Sequence, residues 1–168
     1  MIHVCSLARL HATVEETGAR HIVTLINNQT EVIRPACVAE KDHLFLGMHD
    51  IAAEMDGFNA PAEAHVHRLI AFAQNWHRRT PMVVHCFAGI SRSTAAAFIT
   101  ACALNPKRSE AAIAQAIRDS SPTAFPNPRL VAFADTILER NGRMIAAVQA
   151  IGRGQESAEG HPFRLDLE

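Results

Sequence analysis

The chain has 168 residues, the size of one ordinary domain, and with 48% hydrophobic against 20% charged residues it is not a disordered chain. Lys plus Arg number 16 and Asp plus Glu 17, so the net charge of −1 gives no reason to expect nucleic acid or an anionic membrane as partner. Eight Phe, one Trp and no Tyr leave a core built mainly from Ala, Ile, Leu and Val. In chain order, residues 2–5 read as a strand, 12–20 as a short helix ending near Gly18, and 22–26 as a second strand closed by the Asn27–Asn28 turn. Residues 44–48 form a third apolar run, followed by a polar loop from His49 to Asn59. Asn59 with Pro61 reads as the start of a long helix, whose Val66, Leu69, Ile70, Ala73 and Trp76 keep the i, i+3, i+4 spacing of one buried face.

Pro81 ends that unit, and residues 82–86 form a short strand of the buried type. A Gly-containing loop then opens into a helix of small and apolar residues from Arg92 to Leu104, stopped by Asn105–Pro106. Ser109 caps a further helix to about Asp119. Asn127–Pro128 starts another, and Asn141–Gly142 breaks it before Arg143–Ile151. From Gly152 onward the chain is rich in glycine and charge and is expected to be a loose tail, 152–168. Strands alternating with helices predict an α/β fold, a central, mainly parallel sheet flanked by helices.

The four cysteines, Cys5, Cys37, Cys86 and Cys102, form no CxxC pair, which excludes a zinc ribbon or a thioredoxin-type couple. The N-terminus lacks the basic and apolar regions of a signal peptide, and no run approaches the about 18–20 apolar residues of a membrane span. A cytoplasmic location with reduced thiols is the expectation. The ten histidines offer His65-x-His67 but no His-x3-His, and no metal site is expected.

The chemistry concentrates in residues 85–93, HCFAGISRS. Cys86 leaves an apolar strand and enters a loop with Gly89 that opens directly into a helix. Such a turn can aim successive backbone N–H groups at one anion, with the helix N-terminus adding partial positive charge. Arg92, in the first turn, can bind two phosphate oxygens with its fork. The same Cys-x5-Arg spacing recurs at Cys102 and Arg108, but there the cysteine lies within a helix, no Gly intervenes and Pro106 lacks an N–H. Cysteine acts as a nucleophile as the thiolate, which nearby N–H donors and cations favour.

HCFAGISRS resembles the HC-x5-R-[ST] signature of the cysteine-based protein tyrosine phosphatases, and its AGISRS form is most similar to the dual-specificity group. Residues 22–86 follow the family's order of elements, and Arg118 through Pro122 to Pro126–Asn127 is similar to the family's stretch after the catalytic helix. The ISRSTAAAF run resembles small bacterial members. The resemblance covers roughly residues 1–140 and implies a catalytic domain over 1–151 with the tail outside it. It implies a cysteinyl-phosphate mechanism without metal or cofactor. Cys86 would be the nucleophile, and the loop Phe87, Ala88, Gly89, Ile90, Ser91 and Arg92 would bind the phosphate. Ser93 would help the sulfur leave, and His85 would support the loop. The family's general acid is an Asp about 30–40 residues before the cysteine. Asp50, 36 residues before it at a strand exit, is favoured over Asp56, 30 residues before it in mid-loop.

Expected partners are phosphorylated proteins carrying phosphotyrosine, with phosphoserine and phosphothreonine as further possibilities, or another phosphomonoester. Nucleic acid and membrane are not expected. The absence of Lys or His inside the loop argues against phosphoinositides. Two rivals are a domain that binds phosphorylated partners without turnover, and an arsenate-reducing or rhodanese-like enzyme. The first is disfavoured because Cys86, Arg92, Ser93 and an Asp are all present. The second is disfavoured by the central position of the loop and the absence of a resolving cysteine nearby in sequence.

Overall fold

The computed structural model describes residues 1–168. Five strands form one sheet in the order β3-β2-β4-β1-β5: β1 (Ile2–Ser6), β2 (His21–Ile26), β3 (His43–Gly47), β4 (Met82–Cys86) and β5 (Phe163–Leu165). The first four run parallel, and β5 pairs antiparallel with β1. Every residue of β2 and β4 is buried, as expected of central parallel strands covered on both faces. The carboxyl ends of the parallel strands emerge at a single edge, the usual position of a site in an open α/β sheet.

Six helices flank the sheet: α1 (Leu10–Thr17), α2 (Glu63–Asn75), α3 (Arg92–Leu104), α4 (Glu110–Ser120), α5 (Pro128–Ile137) and α6 (Arg143–Ile151). One face packs α1 over a small cluster of Cys5, Leu10, Val14, Ile22, Val38 and Val83. The other carries the main core. There α3 is buried from Arg92 to Cys102, on all sides, because its small RSTAAAF run lets the sheet and α2, α4 and α5 approach closely. No helix is long and apolar enough to cross a membrane.

Two expectations are corrected. Asn59 does not cap α2: its amide donates to the Gly47 carbonyl, and α2 starts at Glu63, with the His65 ring accepting from the Ala62 N–H. An Asn side chain satisfies whichever backbone group its loop presents, and here that is a strand end. The segment after Gly152 is not loose. Phe163, Leu165 and Leu167 are buried, β5 completes the sheet edge, and Arg108 donates to the carbonyls of Asp166 and Glu168. The alternating FRLDL pattern outweighs the glycine-rich composition before it, because a two-residue period buries one side of an edge strand.

Candidate active site

Cys86 closes β4 and Arg92 opens α3, so five residues make the whole turn from sheet to helix. The turn is held from outside by its carbonyls. Phe87 O accepts from the Leu7 N–H at 3.1 Å, Ala88 O from Gly160 at 2.9 Å, Ile90 O from Phe125 at 2.9 Å, and Ser91 O from Asn127 at 3.2 Å and Ala95 at 3.0 Å. In a planar trans peptide the C=O and the next N–H point to opposite sides, so these anchors turn the N–H groups of Ala88, Gly89, Ser91 and Arg92 inward. The Gly89 N–H shows the outcome directly, donating to Cys86 Sγ at 3.3 Å. Gly89 takes φ +74°, and a Cβ there would meet the Cys5 and Ser6 backbone at 2.8 Å. Only glycine fits that approach.

Cys86 Sγ also lies 3.2 Å from Ser93 Oγ, and both residues are buried. Arg92 is 7% exposed and donates through Nη1 to the Met48 carbonyl at 2.9 Å, just past the end of β3. Its buried Nε has no partner in the protein. A buried guanidinium N–H without an acceptor is costly, by about 1–3 kcal/mol for an ordinary group, and an anion in the ring of inward N–H groups would satisfy it.

The structure brings Asp50 to this loop. Its Oδ1 accepts from Ser91 Oγ at 2.8 Å and from Asn127 Nδ2 at 2.9 Å, which leaves Oδ2 without a bond inside the protein. Its loop is tied at the base: His49 N–H donates to Asn59 O and Asn59 N–H to His49 Nδ1. Asp56 sits at the exposed part of the same loop and makes no side-chain bond to residues 87–92. Asn127 is a contact the sequence reading missed. It caps α5 through Oδ1, as its position before Pro128 predicts, while Nδ2 holds Asp50 and the Ile51 carbonyl. The capping half is visible in the sequence; the bridge across 77 residues is not.

His85, next to Cys86 in the chain, is completely buried. Its Nδ1 lies 3.3 Å from the Cys86 carbonyl and its Nε2 2.7 Å from Thr24 Oγ1, which in turn is 2.8 Å from His43 Nε2. With Nδ1–H donating to the carbonyl, Nε2 accepts the Thr24 hydroxyl proton, and Thr24 accepts from His43. A second proton on His85 would break that chain, and burial pushes the ring down to about 4, against the weaker opposing effect of the Cys86 carbonyl. Burial likewise lowers His3, His21, His43 and His65. A depressed histidine means the unfolded chain binds protons first, so the stability these rings support is present above about 6.5 and lost as pH falls towards 4. For His85 alone this is on the order of 3 kcal/mol. Thermal unfolding of wild type and His85→Asn from pH 7.5 to 4.5 is expected to show a steep loss in the wild type and a shallower one in the variant. Equal slopes would remove His85 from the account. Burial pushes Cys5 and Cys102 up to about 12, so neither is a thiolate near neutrality.

A family model described as protein-tyrosine phosphatase matches residues 56–128, which include β4, the whole loop and α3. Human DUSP28 is similar in structure, 20% identical over 83% of this chain and 89% of its own, with a TM-score of 0.64. Cydia pomonella PTP-2 phosphatase is 18% identical over 80% of this chain and 84% of its own, with a TM-score of 0.63. PTPMT1 in complex with PI(5)P is 19% identical over 84% and 94%, with a TM-score of 0.61. No curated protein sequence matches. The family match is confined to the central segment 56–128, and the structural likeness is one of fold: the chain has an α/β fold of the dual-specificity phosphatase type.

Proposed function

We propose that the protein is a phosphomonoester hydrolase acting on protein phosphotyrosine, with phosphoserine and phosphothreonine as secondary substrates, in a reducing cytoplasm and without metal or cofactor. One observation carries the reading. A buried cysteine sulfur, a ring of inward N–H groups and a buried arginine with an unsatisfied N–H converge on one small turn.

Cys86 Sγ attacks phosphorus in line, the S–P bond forms, and the bond to the leaving oxygen breaks. The inward N–H groups and Arg92 hold the equatorial oxygens, which carry the redistributed charge. Asp50, protonated at Oδ2, gives its proton to the leaving oxygen. In the second step the Asp50 carboxylate takes a proton from water, the new O–P bond forms, and the P–S bond breaks. Ser93 Oγ–H donates to the departing sulfur, and inorganic phosphate is released.

Phosphotyrosine is favoured by the surroundings of the loop. Phe58, Phe87 and Phe125 are exposed on segments that adjoin it, and Arg92 is its only basic residue. Apolar surface suits an aromatic phosphate ester better than a multiply phosphorylated inositol. The rival of binding without turnover is disfavoured because Asp50 is held against the loop by two donors.

Hydrolysis of p-nitrophenyl phosphate that persists in EDTA and stops with vanadate is the expected first result. Asp50→Asn is expected to lower kcat by about 10²–10⁴-fold on phenyl phosphate, and by less on p-nitrophenyl phosphate, whose leaving group needs no proton. Asp56→Asn is expected to keep wild-type turnover on both. The reverse pattern would move the acid to Asp56. Faster release of phosphate from a phosphoinositide than from a phosphotyrosine peptide would overturn the substrate assignment.

A further inference from the structure

We infer that the C-terminal segment 152–160 is part of the catalytic apparatus, with Glu159 and Gly160 as positioning residues for the thiol of Cys86. The inference rests on the phosphatase reading of the same loop.

The Gly160 N–H donates to the Ala88 carbonyl at 2.9 Å, and the Gly89 N–H of that same peptide unit donates to Cys86 Sγ at 3.3 Å. Peptide planarity makes the two bonds one rigid link, so holding the carbonyl from outside aims the N–H at the sulfur from inside. Gly160 is buried, and a Cβ there would meet Gly89 O at 2.9 Å, Ile90 Cγ1 at 3.3 Å and Thr123 Oγ1 at 3.3 Å. The segment is therefore seated directly on the loop, with no room for a side chain between them.

The neighbouring residue fixes its register. Glu159 Oε1 accepts from the hydroxyl of Ser6, which is fully buried at the end of β1, where Ser6 pairs with Cys86. A charge-assisted bond from a buried hydroxyl is among the stronger side-chain contacts available. Upstream, the Gln155 N–H donates to Pro122 O, and the Arg118 guanidinium joins the Gly152 carbonyl to those of Pro122 and Ala124. Downstream, β5 pairs with β1. The segment is thus anchored at both ends, and its middle bears on the turn. Leu7, Phe125 and Asn127 hold the other carbonyls, while the peptide unit that contacts the sulfur is held by the C-terminal segment alone.

The test uses the full chain in a Cys37→Ser background, because Cys37 is the one exposed cysteine. Gly160→Pro removes the N–H, Glu159→Ala removes the acceptor, and Glu159→Gln keeps an acceptor oxygen. Gly160→Pro is expected to lower kcat/KM by roughly 10–100-fold, the effect of a small misplacement in a preorganised site. Glu159→Ala is expected to lower it on the order of tenfold, with recovery in Glu159→Gln. The readout a purely structural role would not move is the pH profile of Cys86 alkylation by iodoacetate. Its rise is expected to shift to higher pH in Gly160→Pro and Glu159→Ala, and to return in Glu159→Gln. Should Gly160→Pro fail to fold, the Glu159 pair decides. Wild-type kcat/KM and an unmoved alkylation profile in both Glu159 variants would overturn the inference and leave the phosphatase reading intact. A wild type that alkylates at Cys86 but hydrolyses no phosphomonoester would overturn the phosphatase reading, and the alkylation profiles would still decide the role of the segment.

Discussion

Cys86→Ser is expected to abolish turnover, lowering kcat by on the order of 10⁴-fold or more, while phosphate and vanadate still bind. The sulfur is the one strongly nucleophilic atom at the centre of the loop. Ser93 Oγ is a neutral hydroxyl 3.2 Å away, with no base bonded to it. A serine at position 86 would be a second neutral hydroxyl, and the inward N–H groups and Arg92 have no basic function with which to activate it. Those groups stay in place, because the anchors of the turn are carbonyls and N–H groups of the main chain, independent of the residue at 86. The expected signature is a protein that protects itself against unfolding with vanadate as the wild type does, yet releases no p-nitrophenol. Residual turnover within a hundredfold of wild type would assign the nucleophile elsewhere.

The second large effect is expected at Arg92. A lysine there keeps the charge, but its single ammonium cannot both reach the Met48 carbonyl and present a planar fork to two phosphate oxygens. Arg92→Lys is expected to lower kcat/KM by about 10³-fold, the scale on which an arginine stabilises a transferring phosphoryl group. Some loss of stability should accompany it, because the Met48 carbonyl loses its donor. That carbonyl lies two residues before Asp50, so the variant also loosens the loop that carries the proposed acid. Steady-state kinetics on p-nitrophenyl phosphate check it, and activity within tenfold of wild type would show that the fork is not used.

The parts of this site that were legible in the sequence are local ones. The step from MVVHC through Gly89 to a small-residue helix specifies a strand, a tight turn and a helix N-terminus within the twelve residues 82–93. The proposed nucleophile, the turn proposed to bind the anion and the buried arginine all lie in that segment. Helix caps at Ser109 and Asn127 were readable for the same reason, as each satisfies N–H groups two or three residues away. What was not legible spans the chain: Asn127 on Asp50 across 77 residues, and Ser6 on Glu159 across 153. Hydrophobic periodicity shows which side of an element is buried and says nothing of its partner. Asn59 failed for a different reason, since a strong capping residue was used by a strand end. The C-terminal segment differs because pattern outweighs composition: Gly152, Gly154 and Gly160 give it the composition of a linker, while the alternation of Phe163, Leu165 and Leu167 marks an edge strand.

The geometry also explains how a near-neutral chain can handle a dianion. One buried arginine and four inward N–H groups supply the positive potential, so the net charge of −1 carries no information about the ligand.

The most direct measurement is the covalent intermediate itself. Enzyme mixed with a phosphorus-labelled aryl phosphate and quenched in acid within the first turnover should carry label on the peptide containing Cys86, at an acid-stable, iodine-sensitive thiophosphate bond. Ser93→Ala, which slows release of the sulfur, should raise its yield, and Cys86→Ser should carry none. Substrate consumed with no label on the protein, or label retained in Cys86→Ser, would contradict the account.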